Sequence, residues 1–374
     1  MSDNGRVTSP DSPDTAPAAA PRTGMPRAGA AGAHGGRADG GRGAGDGAPR
    51  TTPGAAPSGR SGEAPRGPEP FGTAPRLPSP LREAADERFA RHGLRLLLKR
   101  DDLIHPEIVG NKWRKLTPNL AAAAGRRVVT FGGAYSNHLR ATAAAGRLLG
   151  LPTLGVVRGD ELADRPRNPS LARCAADGMR LHFVERSAYR RKAEPAALAA
   201  ILRAAGAEDA YVVPEGGSNV LAVRGCRALG EELRGHGVGV AAVACGTGGT
   251  LAGLAAGLAP EQRALGFPVV GGDFLGAETE ALQRAAFGGR RGAWSLDDRF
   301  TFGGYGRTTP ELDAFAEDFE VRHGLPVERL YVAKMLYGLV ALAEQGAFPR
   351  GTTVAAVITG APFPAGAPAQ AASR

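Results

Sequence analysis

The sequence predicts an α/β fold built on parallel sheet. Three features of the chain from Leu94 onward carry that expectation. Short apolar runs rich in Val, Leu and Ala alternate with stretches of helical character, most of these runs close on glycine, and the polar motifs stand directly after them. Strands buried on both faces read as continuous apolar runs, and that is the pattern here.

Taken in order, "LRLLLKRDDL" reads as the first strand and "NKWRKLTPNLAAAAG" as a helix stopped by Gly125. "VVTFGG" is a strand, and "SNHLRATAAAGRLLG" is an alanine-rich helix. "TLGVVRG" and "LHFVER" are strands on either side of the helix "NPSLARCAADG". "YVVPEGG", "VAAVACGTGG" and "TVAAVITG" repeat the theme of an apolar strand ending in glycine. The pattern suits one long sheet or two facing ones, and no internal repeat is visible.

Composition narrows the function. The chain has 374 residues, 43% of them hydrophobic, but residues 1–70 contain no Leu, Ile, Phe, Tyr or Trp. A segment of that composition cannot bury enough apolar surface to offset its ordering entropy, so it reads as a disordered low-complexity tail. The net charge of +9 lies mainly in the remainder. No zinc-finger spacing, basic recognition helix or aromatic–basic interleaving accompanies it, so an anionic small ligand is expected and nucleic acid is not. Cys174, Cys226 and Cys245 have neither CxxC nor metal spacing, which suggests buried thiols in a reducing compartment and no metal site. The amino terminus lacks the charged and apolar regions of a signal peptide, and no apolar run is long enough for a membrane span. The expectation is a cytoplasmic protein without membrane contact.

In folds of this class, ligands collect where strand carboxyl ends meet helix amino ends. "GNK", "GGAYSNH", "PEGGSN", "CGTGGT" and "ITG" all fall there. In "ACGTGGTLAG", Gly246, Gly248 and Gly249 allow close backbone approach to a phosphate, with the following helix supplying amide donors and Thr247 and Thr250 their hydroxyls. A plain tight turn fits the same residues. A dinucleotide fingerprint would need glycine where Leu251 stands, and no Gly-Lys-Ser/Thr follows, so a nucleotide-dependent oxidoreductase and a P-loop are excluded. Ser136 and Asn137 are helix N-cap candidates as well as ligand contacts. His138, Tyr305 and Tyr331, taken singly, read as structural.

Lys112 and Lys115 are one helical turn apart on one face, where each ammonium raises the energy of the other. Two exposed lysines at a helix start are one explanation. The other is a nucleophilic amine, its pKa lowered by burial and a neighbouring cation, beside a phosphate counter-ion. A ligand with an aldehyde and a phosphate meets both demands, and pyridoxal phosphate is such a molecule.

The motifs "KRDDL", "GNKWRKL", "GGAYSNHLR", "PEGGSN", "GTGGTLAG", "FGGYG", "LYVAKM" and "ITG" resemble, in order and spacing, the 1-aminocyclopropane-1-carboxylate deaminase and D-cysteine desulfhydrase family. The likeness runs from about residue 77 to about residue 362. It implies a pyridoxal phosphate enzyme of the tryptophan synthase β type (fold type II), with two open, mostly parallel sheets covered by helices. Residues 71–115 and 235–374 would form a large domain, and 116–234 a small one. The resemblance makes Lys112 the covalent anchor of the cofactor, with Lys115, Asn137 and the Gly246, Thr247, Gly248, Gly249, Thr250 loop around its phosphate. It sets Ser136 near the substrate, Tyr305 and Tyr331 at the reacting centre, and Thr359 by the cofactor ring. It also implies a homodimer acting on a small amino acid.

Two positions depart from the deaminase pattern. Val332 falls where cyclopropane deaminases carry an acidic residue by the pyridine nitrogen, and Thr359 offers only a hydroxyl. A weaker electron sink suits prompt loss of a β leaving group, so the expectation is a D-cysteine desulfhydrase-like lyase giving pyruvate and ammonia. A cyclopropane deaminase and a non-catalytic binding protein on the same fold are the alternatives. "ITGA" in place of the usual His-Thr-Gly-Gly, with Ile358 and Ala361 at the altered places, further separates the chain from the family pattern. Deleting residues 1–70 should leave kcat/KM unchanged in a turnover assay, and a large drop would show that the tail serves the site.

Overall fold

The structure, a computed structural model, describes residues 72–363, so the expected tail over 1–70 lies outside the described residues. The elements follow the alternation read from the sequence. An edge hairpin comes first: β1 (Leu81–Ala84), α1 (Glu87–Ala90) and β2 (Arg95–Lys99). Next come α2 (Lys112–Ala123), β3 (Val128–Gly132), α3 (Asn137–Leu149) and β4 (Thr153–Arg158). They are followed by α4 (Pro169–Ala176), β5 (Arg180–Val184), α5 (Arg186–Arg190), α6 (Pro195–Ala204) and β6 (Tyr211–Val213). The chain then runs through α7 (Val220–Glu231), β7 (Val238–Cys245), α8 (Gly249–Gly257), β8 (Arg263–Pro268), α9 (Phe274–Phe287) and β9 (Ala293–Leu296). It ends with α10 (Pro310–His323), α11 (Val332–Glu344) and β10 (Thr353–Val357).

These strands make two open sheets. One is six-stranded in the order β1-β2-β10-β7-β8-β9, parallel except where β1 runs against β2. The other is four-stranded and parallel, in the order β5-β4-β3-β6. Parallel neighbours need long crossovers, and the helices supply them while covering the sheet faces. The two-residue period shows in the larger core. Leu96, Leu98, Val240, Ala242, Val354 and Ala356 face one apolar cluster with α11, whereas Leu97, Ala241, Val243, Ala355 and Val357 face a second one with α8. Both faces are buried, which is why these strands carry no polar alternation.

Two local expectations are corrected. The first strand ends at Lys99, and Asp101–Leu103 is a short 3-10 turn, because Asp101 folds inward to meet Arg114. The helix α2 is closed by Ala124 at φ 51°, one residue before Gly125. Among the described residues no helix is long and apolar enough to cross a membrane.

The turn ahead of α2 is fastened to the end of β10. Asn111 N donates to Thr359 O at 3.1 Å, and Gly110 sits at φ 70° with that carbonyl where a Cβ would be, 1.8 Å away. No side chain fits there. The helix itself is held by Arg114, which donates to Asp101 Oδ1 and Oδ2 at 2.8 and 2.9 Å and to Glu232 Oε1 and Oε2 at 2.8 and 2.9 Å. Lys99 Nζ closes the network on Glu232 at 2.6 Å. Removing one member of a buried charged set strands the others. Arg114→Met should therefore lower the unfolding free energy by about 3–5 kcal/mol in denaturant titration. A loss below about 1 kcal/mol, the range of an exposed pair, would show the network to be dispensable.

Candidate active site

The motifs "GGAYSNH", "PEGGSN", "CGTGGT" and "ITG" stand at the carboxyl ends of β3, β6, β7 and β10, and "GNK" opens α2 beside the last of them. The ends of β3, β4 and β6 in one sheet and of β7 and β10 in the other open onto a cavity of about 630 Å³. Lys112, Lys115, Ser136, Asn137, Gly246, Thr247, Gly248, Thr250, Tyr305, Tyr331 and Thr359 all line it. Gly249 opens α8 directly behind the loop.

Lys112 is the first residue of α2, and among the described residues its Nζ has one hydrogen-bond partner, Asn111 Oδ1 at 3.0 Å. Asn111 is in turn oriented by donating its amide to Thr250 Oγ1 at 2.9 Å. Burial first, and the Lys115 cation second, pull the Lys112 amine down to about 7. Near neutral pH about half of it is then the free amine.

Lys115 is buried and has no carboxylate partner among the described residues; its Nζ donates to Gly216 O at 3.1 Å and Ser218 Oγ at 3.0 Å. Burial lowers its pKa as well. The start of α8 faces it: a Cβ on Gly249 would lie 3.4 Å from Lys115 Nζ and 2.5 Å from Ser218 Oγ. Gly248, at φ 74°, turns the chain into the helix. A buried cation, a bare helix amino terminus and the hydroxyls of Ser218 and Thr247 (2.6 Å apart) thus converge without any anion to match them. The expected cup is a cation-backed cradle.

Ser136 takes the capping role. Its Oγ caps α3 by accepting from Leu139 N at 3.3 Å, and the residue also lines the cavity. Asn137 Oδ1 accepts from Arg140, which leaves its amide group available. His138 is buried deep beside the cradle. Thr130 Oγ1 donates to Val213 O at 2.8 Å, so it accepts the 2.7 Å bond from His138 Nε2–H. The ring is therefore the Nε2–H tautomer, and its Nδ1 lone pair has no partner among the described residues. Burial and the two lysines keep it neutral, well below the usual histidine range.

Tyr305 and Tyr331 pack edge to face, centroids 6.0 Å apart. Burial holds the Tyr331 phenol well above its ordinary pKa, so it stays protonated. Val332 points away from the cavity into the main core, and Thr359 makes no side-chain hydrogen bond within the described protein.

Sequence reasoning missed Glu328, Arg140 and Arg158, which also line the cavity. Glu328 caps α11, accepting from the amides of Leu330, Tyr331 and Val332 at 3.0, 2.7 and 3.3 Å. A carboxylate just ahead of a helical run was a legible capping signal. The two arginines gave no signal that separates them from surface charge.

The family model described as "Pyridoxal-phosphate dependent enzyme" matches residues 73–360. The chain belongs to that family. A Pyrococcus furiosus protein carrying the provisional name 1-aminocyclopropane-1-carboxylate deaminase is 33% identical over 273 residues, which is 68% of this chain and 81% of the relative. A mitochondrial bifunctional D-cysteine desulfhydrase/1-aminocyclopropane-1-carboxylate deaminase of Arabidopsis thaliana is 29% identical over 271 residues, 67% of each chain. The solved structure of a homologue of 1-aminocyclopropane-1-carboxylate deaminase shares 27% identity at a TM-score of 0.65, over 75% of this chain and 89% of its own.

The residues present fit the cofactor of this pyridoxal phosphate-dependent enzyme. The cation and helix terminus, unmatched among the described residues, suit its phosphate, and the amine near neutrality suits its aldehyde. The rate of pyridoxal phosphate uptake by the stripped protein, followed by visible absorbance, should rise with pH to a plateau with a midpoint near 7. Lys115→Met should move that midpoint upward. A midpoint unmoved by that change would contradict the coupling.

Proposed function

We propose that the chain catalyses β-elimination from a small amino acid, in the manner of a D-cysteine desulfhydrase, giving pyruvate, ammonia and the leaving group. Pyridoxal phosphate, when bound, supplies the electron sink that acidifies the Cα–H bond. Lys112 would hold it covalently, Lys115, Asn137 and the Gly246–Thr250 loop its phosphate, and Thr359 would stand by its ring.

The observation that carries the reading is the pair Val332 and Thr359. The first is sealed in the core with no polar atom, and the second brings a hydroxyl to the cavity. Glu328 is a carboxylate in the same cavity, but three backbone amides occupy it. Without a dedicated acid beside the ring nitrogen, prompt departure of a β substituent is favoured over long storage of negative charge. Lys112 Nζ, half deprotonated at neutral pH, takes the Cα proton. Ser136, at the amino end of α3, donates to the substrate carboxylate, where the helix terminus favours an anion. Tyr331 remains a phenol and, with Tyr305, can return a proton to the departing group. The group leaves with its bonding pair, and the released enamine takes up water to yield pyruvate and ammonia.

The second reading, a 1-aminocyclopropane-1-carboxylate deaminase, is favoured by the relatives' names. Turnover of D-cysteine, D-serine derivatives and the cyclopropane acid separates the two. Pyruvate from the β-substituted D-amino acids is expected. Turnover of the cyclopropane acid alone (with its 2-oxobutanoate product) would overturn the elimination reading.

A further inference from the structure

The cavity wall carries three arginines that the proposed reaction does not use, Arg140, Arg158 and Arg173, and they differ in what holds them. Most charged groups on its wall are matched internally. Arg173 pairs with Asp177 at 2.8 Å, and Glu215 with Lys192 at 2.9 Å. Arg140 is held by Ser170 Oγ at 2.7 Å, by Asn137 and by the face of Phe363, 4.2 Å from its centroid. Arg158 is different. It is the last residue of β4, half-buried on the cavity wall, and among the described residues it has neither a carboxylate within ion-pair distance nor a hydrogen bond. Its guanidinium carbon stands 5.9 Å from the Tyr189 ring centroid, a weak tether that leaves all five N–H donors open.

Its position relates it to the reacting centre. The β3–β4 pairing brings the two strand ends side by side, and a Cβ built on Gly133 would lie 3.5 Å from Arg158 Nη2. Gly133 begins the turn that leads into Ser136, whose amide donates to Gly133 O at 3.0 Å. The free fork therefore overhangs the start of α3. A phosphate is answered by Lys115 and the α8 terminus, and a substrate carboxylate by Ser136 and the α3 terminus. Arg158 remains over.

We propose that the substrate of this site carries a second anionic group, a phosphate, sulfate or sulfonate on its β-carbon, and that Arg158 binds it. The inference rests on the elimination reading. Such oxyanions match the planar fork of a guanidinium. As the bond from Cβ to the substituent breaks, the electron pair moves onto the leaving oxyanion, the Cα proton goes to Lys112, and Arg158 meets the charge that rises on the departing group. Its effect is thus larger in the transition state than on binding.

The test compares serine O-sulfate and O-phosphoserine with β-chloroalanine, in both enantiomers, on the holoenzyme. All three lose a good leaving group, but only the first two present an oxyanion. The kcat/KM ratio of serine O-sulfate to β-chloroalanine should exceed one in the wild type. It should fall about thirtyfold or more in Arg158→Gln, with Arg158→Lys retaining part of the preference. The equilibrium affinity for 2-amino-3-phosphonopropionate, whose carbon–phosphorus bond does not leave, should weaken in parallel by calorimetry. An unchanged ratio and affinity would overturn the assignment, as would an equal fall for all three substrates, which would put Arg158 on the α-carboxylate. Pyruvate formed with an unchanged ratio removes Arg158 alone, whereas no pyruvate from any substrate removes the elimination reading and this inference with it.

Discussion

The buried fork of Arg114 between Asp101 and Glu232 sets the rotation of α2, and the rest of the site follows from it. On an α-helix Lys112 and Lys115 lie about 60° apart, with Arg114 about 160° from the first and 100° from the second. Once Arg114 is turned inward to the carboxylates behind the helix, both lysines must face the cavity. An Asp on the loop after β2 and a Glu closing α7 thus decide where a nucleophile on α2 points. The Asn111–Thr359 bond and the tight approach at Gly110 fix the start of the same helix along its axis. Rotation is thus determined behind the helix, away from the cavity, and translation by a backbone contact at the cavity wall.

That fixed geometry produces the chemistry. Two amines held one turn apart in a buried wall cannot both remain protonated cheaply, so the one with the poorer set of partners gives way. Lys115 has a carbonyl, a hydroxyl and a helix terminus that invites an anion beside it, whereas Lys112 has a single amide oxygen. The asymmetry assigns different work to two identical side chains: one becomes a neutral nucleophile and the other a counter-ion. His138 adds to the picture as a neutral acceptor, its tautomer dictated by Thr130.

Much of this was legible in the sequence because buried parallel strands announce themselves as apolar runs and cradle loops as glycine clusters. The convergence of "GNK", "GGAYSNH", "PEGGSN", "CGTGGT" and "ITG" on strand ends points to one shared cavity. What escaped has physical reasons. The antiparallel strand Leu81–Ala84 has only one buried residue and so carries no apolar signature. Ala124 adopts a left-handed turn that alanine rarely takes, and the glycine beside it was the obvious but wrong stop. Arg140, in the first turn of α3, and Arg158, the last residue of β4, are indistinguishable in one dimension from solvated charge; only the pairing of β3 with β4 brings Arg158 over Ser136. Glu328 was not singled out in the sequence: it accepts the amides that lead into α11, and its place on the cavity wall depends on the β7 and β10 ends meeting that helix.

The central claim is that the α2 rotation presents Lys112, and not its neighbour three residues on, as the nucleophile. Peptide mapping by mass spectrometry after borohydride reduction of the cofactor-loaded protein addresses it directly. The account predicts a single pyridoxyl adduct on Lys112. An adduct on Lys115, a spread over several lysines, or none at all would contradict it.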